Sequence, residues 1–180
     1  MKRPNKDKKH VKRFIGHNFP HLKAAYIPHT PLNGKPENEC IDTVEEYIIS
    51  NGGALILGWA IWEEPNVLIE AEFHAIWQSP EGDFFDISPR PSLSNLKRIL
   101  FLQDTSINYK GKQIDNIREP ISKDPRVKKY IQLSEEYFLE TNKGDLAFKY
   151  GEIEATPEIL KIKDEMNEIE ISILTTPLTR

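Results

Sequence analysis

The sequence predicts an α+β fold: a central antiparallel sheet of about five strands, a cysteine-bearing helix packed on it, and helices at the C-terminus. Three observations carry that expectation. From Cys40 onward, Ile41, Val44, Tyr47 and Ile48 recur at helical spacing. Two segments rich in Ile, Leu, Val and Trp, 54–63 and 67–78, then follow with Pro65-Asn66 between them, as consecutive antiparallel strands do. Further on, Asp124-Pro125 and Thr156-Pro157-Glu158 each pair a capping side chain with a proline, whose missing N–H would find no partner in a first helical turn.

A chain of 180 residues with 38% hydrophobic content supports one sizeable core, so residues 14–180 are expected to form a single domain. Before it, Lys2, Arg3, Lys6, Lys8, Lys9, Lys12 and Arg13 crowd a segment with little apolar surface to offset the entropy of ordering, which predicts a disordered basic arm over 1–13. Such an arm solubilises, or touches nucleic acid or an anionic surface through residues 2–13. The net charge of −4, with acids dominating from Glu135 to Glu170, argues against nucleic-acid binding by the whole chain. The longest apolar run, Ala54 to Trp62, is about half of what a bilayer crossing needs, and no apolar signal segment follows the basic start. The expectation is a cytoplasmic protein without a membrane span. Its single cysteine, Cys40, has no intramolecular disulfide partner, which fits a reducing compartment.

From Phe14 to Pro36, four prolines (Pro20, Pro28, Pro31, Pro36) interrupt regular structure, and Pro20 separates His17 from His21, whose spacing would otherwise suit a shared helix face. The helix opening at Cys40 takes Asn38 as its expected N-cap and stops at Asn51-Gly52-Gly53. Cys40 then lies in the first turn, where free backbone N–H groups and the helix dipole favour a thiolate, opposed in part by Glu37 and Glu39.

A third strand, Phe84 to Ser88, follows Pro80-Glu81-Gly82, and the loop length sets its parity. A two-residue loop at Glu81-Gly82 would turn Asp86 away from His74. A three-residue loop at 80–82 places Ile76 opposite Asp86, with His74 one diagonal step away on the same face. Proline at the first position and glycine at the left-handed one favour the longer loop. Strands at 98–103 and 106–114, a helix from Pro125 to about Leu139 ending near 142–144, and a helix from Glu158 to about Ile171 with Ile159, Ile162, Met166 and Ile169 on one stripe complete the expectation. Internal repeats, Gly-rich phosphate loops and paired-cysteine zinc motifs are absent from the sequence.

In chain order a thiol, an imidazole and a carboxylate can form a nucleophile, its base and the group that orients the base. The segments Cys40-Ile41-Asp42-Thr43-Val44, His74-Ala75-Ile76-Trp77 and Asp86-Ile87-Ser88-Pro89 make the stretch Glu39–Arg90 resemble the papain-like and transglutaminase-like superfamily. The resemblance spans about 50 residues, and the stretch also looks like segments of uncharacterised bacterial proteins. It implies thiol chemistry on an amide, isopeptide, ester or thioester carbonyl of a protein, peptide or small-molecule substrate, without a cofactor. By that match Cys40 is the nucleophile, His74 the base and Asp86 the orienting group, with Gln78 the alternative orienting residue. Candidate oxyanion donors are the Cys40 N–H and the side chain of Asn33 or Asn38. Two other readings remain. Cys40, His74 and Asp86, joined by His29 or His21, offer S, N and O ligands that suit zinc. Alternatively, Cys40 and His74 are core residues of a non-catalytic interaction domain that presents Trp59, Trp62 or Trp77 to a partner.

Overall fold

The computed structural model describes residues 1–90, 93, 95–148 and 153–178. The fold is α+β, as expected, but the chain divides into two compact units: Met1–Glu63 with Glu70–Asn108, and Glu64–Ile69 with Tyr109–Arg180. One domain was expected from composition. The reason for two lies at the tip of the central hairpin, where Val67 and Leu68 pack with Val127, Ile131 and Ile173 and so seed a separate apolar cluster.

The first unit holds helix α1 (Lys9–Asn18), strand β1 (Ala24–Pro28), helix α2 (Cys40–Asn51), the long strands β2 (Ala54–Glu64) and β3 (Leu68–Gln78) up to their hairpin tip, and strands β4 (Phe84–Phe85) and β5 (Arg98–Gln103). The strand order is β1-β5-β2-β3-β4. Tyr26 pairs with Leu100, Ala60 with Phe101 and Trp77 with Phe85. The two ends of that order then meet, because the chain leaving β1 runs parallel to the chain leaving β4 at His29 and Asp86. Backbone bonds from Asp86 N–H to the Pro28 carbonyl (2.9 Å), Thr30 N–H to the Asp86 carbonyl (2.8 Å) and Leu32 N–H to the Ile87 carbonyl (3.0 Å) hold this seam. Ile27, Ala60, Trp62, Ile76, Ile99 and Phe101 form one buried cluster there.

Two elements lie where the sequence led us to expect none. Residues 1–13 are not a disordered arm: Lys2 forms an antiparallel bridge with Glu63, and α1 fully buries Val11 and Phe14. The basic residues that suggested a solvated tail have a buried partner, since Glu63 accepts from Lys8 Nζ (3.3 Å) and bonds His10 Nε2 (2.8 Å). Strand β1 ends at Pro28 on an outer position of the strand order, where a missing N–H costs the ladder little.

Helix α2 begins at Cys40, but its N-cap is Glu39, with no side-chain cap bond, while Asn38 takes a left-handed φ of 66°. Ile41, Thr43 and Val44 are its buried residues. The stop is as expected. Gly52 has φ 67° and its N–H bonds the Ile48 carbonyl, and a Cβ at Gly53 would overlap the Gln78 carbonyl, so the helix exit can run this close to β3 only with glycine there. Trp77 seals the same place, its Nε1 donating to the Gly52 carbonyl (2.9 Å) and its ring meeting Tyr47 edge-on. Trp59 and Trp62 are buried rather than presented at the surface, with their indole N–H groups bound to Asp104 and Glu72.

In the second unit, strand β6 (Ile117–Pro120), helix α3 (Pro125–Thr141), a short 3₁₀ turn (Gly144–Phe148) and helix α4 (Pro157–Thr175) gather with the hairpin tip. The expected strand at 106–114 is not formed; β6 lies further on, and Ile121 N–H bonds the Val67 carbonyl just beyond it. Half-buried and exposed residues do alternate over 107–110, yet alternation without a neighbouring ladder does not make a strand. Both proline-marked helices form as expected. The Asp124 side chain accepts from Arg126 N–H (2.9 Å), and Thr156 Oγ1 accepts from Ile159 N–H (3.3 Å). Among the described residues, no helix is long and apolar enough to cross a membrane.

Candidate functional site

The hairpin β3–β4 has the three-residue loop expected of Pro80-Glu81-Gly82. Gln78 pairs with Phe84 and Trp77 with Phe85, Ser79 N–H bonds the Asp83 carbonyl, and Gly82 has φ 96°. Continued by one residue, that register sets Ile76 opposite Asp86 and therefore turns Asp86 to the face of His74. The side chains meet there. His74 Nε2 lies 2.9 Å from Asp86 Oδ1, in a pair whose side chains are 2% and 0% exposed.

Cys40 approaches the same imidazole from the start of α2. It is the free, half-buried thiol of the chain, close enough to the ring that its charge and hydrogen bonding help raise the His74 pKa. With Nε2 engaged by Asp86, Nδ1 is the ring nitrogen left to face sulfur. Phe101 holds the ring from another side, edge to face with centroids 6.5 Å apart. The three residues that carried the sequence reading are therefore contiguous.

A fourth member was not among the expected catalytic residues. His29 Nδ1 lies 2.9 Å from Asp86 Oδ2, with the His29 side chain only 3% exposed. The seam between β1 and β4 puts it there. Asp86 thus stands between two imidazoles, one on each oxygen, and its Oδ1 also accepts from Ser88 N–H (3.3 Å). Nothing in the local pattern distinguishes His29 from His17 and His21, both of which are exposed. Only its position next to Pro28, the last residue of an unrecognised strand, set it apart.

Burial acts against both charges, and the pairing overcomes it in each case. Desolvation pushes the His74 imidazole toward its neutral form, but the charges of Asp86 and Cys40 and hydrogen bonds to both raise its pKa from 6.5 to about 10. Desolvation likewise raises the Asp86 carboxyl; the cationic His74, hydrogen bonds from His29 and His74, and the charge of Arg90 pull it well below the usual carboxylate range. At neutral pH the centre therefore holds an imidazolium between the Asp86 carboxylate and the Cys40 sulfur.

Other candidates fall away from this centre. Gln78 donates to the Gly82 carbonyl (3.3 Å) and braces the hairpin loop, so it does not orient His74. Asn33 and Asn38 are exposed, whereas the Cys40 N–H belongs to the first residue of α2, whose N-cap makes no side-chain bond. The zinc reading meets a geometric obstacle: both Asp86 oxygens point at imidazole nitrogens at hydrogen-bond distance, so the ligand atoms face one another instead of a common centre. Among the described residues, no group of three or more His, Cys, Asp or Glu is disposed to hold a metal ion. Comparison of the chain with protein-family models, with curated proteins and with solved structures finds no match.

Proposed function

We propose that the protein is a cysteine hydrolase or acyltransferase that acts on an amide, isopeptide, ester or thioester carbonyl through Cys40, His74 and Asp86. The observation that carries this reading is the line from Cys40 to His74 to Asp86, built from a helix start, strand β3 and the chain just beyond β4. Cys40 sulfur attacks as the thiolate of a thiolate–imidazolium pair, its proton already carried by His74, forming the C–S bond and moving the carbonyl π pair onto oxygen, where the Cys40 N–H can donate to it. As the tetrahedral species collapses, the bond to the leaving amine, alcohol or thiol breaks and His74 Nδ1–H supplies the proton that group needs. The acyl group remains on sulfur as a thioester. Water, or a second nucleophile in a transferase, then attacks the thioester while His74 takes its proton, and collapse releases the acid or the new acyl product with Cys40 restored. Asp86 keeps its negative charge throughout, holding the ring in one orientation and stabilising the imidazolium.

The rate of Cys40 alkylation by iodoacetamide, followed against pH, tests the proposal without knowledge of a substrate. The folded wild type should react well below the pH at which a free thiol with a pKa of about 8.5 does, and His74→Ala should return the profile toward that of a free thiol. A thiol that does not react in the folded protein, or identical profiles in the two proteins, would overturn the nucleophile assignment and leave an interaction domain with Cys40 as a packing residue.

A further inference from the structure

The N-terminal segment, once its folding is recognised, builds a second site whose chemistry is unrelated to the thiol. The paired backbone bonds between Lys2 and Glu63, both 2.8 Å, hold the first residues in extended conformation against the end of β2. That places Lys2 and Arg3 beside Lys97 and Arg98 at the start of β5. The four cations, with Leu93, Asn95 and Leu96, line an open concavity of about 670 Å³, and none of the described residues lining it is acidic. Tyr26 of β1 forms a floor for the cluster, with the Arg98 guanidinium 4.3 Å and that of Arg3 4.8 Å from its ring centre and Lys6 Nζ at 5.5 Å.

We propose that this concavity binds a small polyanion, a ligand carrying two or more phosphate groups in a chain. Like charges gathered in one cavity repel, and among the described residues that line it the usual remedy, an interleaved carboxylate, is missing. Among the described residues, none of Lys2, Arg3, Lys97 and Arg98 is in an ion pair, whereas Glu63, which bridges Lys2 through the backbone, is committed to Lys8 and His10, and Asp7 to Lys12. A chain with net charge −4 has carboxylates to spare, so a cavity whose charged lining residues are all cations is complementary to an anion from solution. Its size is that of a small-molecule site. Nucleic acid would be met by an extended basic track, and here the positive groups converge on one cavity instead. Inorganic polyphosphate and the phosphate chain of a nucleoside polyphosphate share this chemistry.

Titration calorimetry of the full chain with sodium tripolyphosphate tests the inference, with ATP and adenosine as parallel arms. One site per chain is expected, weakening at least tenfold between about 50 and about 300 mM NaCl. Lys97→Glu and Arg98→Glu should each weaken it tenfold or more without altering the thermal melt. Because Arg98 also packs on Tyr26, Lys97→Glu keeps the test valid should the other variant unfold. ATP binding more tightly than tripolyphosphate would assign a nucleoside-bearing ligand, and equal affinity the phosphate chain alone. Absence of binding, affinity unchanged by either variant, or tighter binding of a single-stranded DNA oligonucleotide through the same residues would overturn the proposal. Neither readout involves Cys40, so this site and the acyl-transfer reading stand or fall separately.

Discussion

Asp86 keeps a negative charge where burial alone would remove it, and each of its oxygens depends on a histidine for that. Replacing it with asparagine preserves shape and removes the charge. Asp86→Asn should cost about 3 kcal/mol in urea denaturation, the usual penalty for stranding one member of a buried ion pair. The pH dependence has a definite sign. His74 has a folded-state pKa raised from 6.5 to about 10, so its contribution is complete below pH 6.5 and is lost as pH rises toward 10. Asp86 has a lowered one, so its contribution is present above its ordinary value of 3.8 and is lost as pH falls below it. Wild-type stability should therefore decline from neutral pH toward pH 10, and in Asp86→Asn that decline should flatten. His29→Ala tests the other oxygen. It leaves Asp86 Oδ2 buried without its donor, and a loss of about 1–3 kcal/mol is expected.

At the scale of elements, the hairpin loop decides whether the centre exists, and Gly82 decides the loop. A Cβ on Gly82 would meet only Gln78 Nε2 at 4.0 Å, so Gly82→Ala isolates the strain of φ 96° from any clash. It should destabilise by about 1–2 kcal/mol in chemical denaturation with the alkylation profile of Cys40 retained. Helix α3 depends on its cap in the same local way. Asp124 is 1% exposed and accepts from Arg126 N–H, so Asp124→Ala should cost about 1–2 kcal/mol. Both effects were legible in the sequence because turn and cap chemistry involve residues within four positions of one another. The misplaced strand at 106–114 shows the opposite limit: its alternation is real, but a strand also needs a ladder partner, and β6 at 117–120 is where one is found.

For the whole molecule, the largest departure from expectation is the folded N-terminus, and it yields the largest expected effect. Phe14 is fully buried, and Phe14→Ala should lower stability by about 3–5 kcal/mol in denaturation, a change no residue of a solvated tail would produce. Composition could not reveal this, because the carboxylate that receives Lys8 and His10 belongs to Glu63, more than fifty positions away. The division into two units has a similar origin, since the apolar tip of the β2–β3 hairpin finds its partners in α3 and α4. The sequence by itself determined what depends on near neighbours: the helix starts at Cys40 and Pro125 and, to within one residue, at Pro157, the glycine stop of α2, and the loop parity that turns Asp86 toward His74. Only the tertiary structure decided that His29 joins Asp86, that Trp59 and Trp62 are interior, and that Lys2 and Arg3 stand beside Lys97 and Arg98. Those contacts bridge long sequence separations, and they form because a curled sheet brings its first and last strands together, which no local pattern of residues encodes.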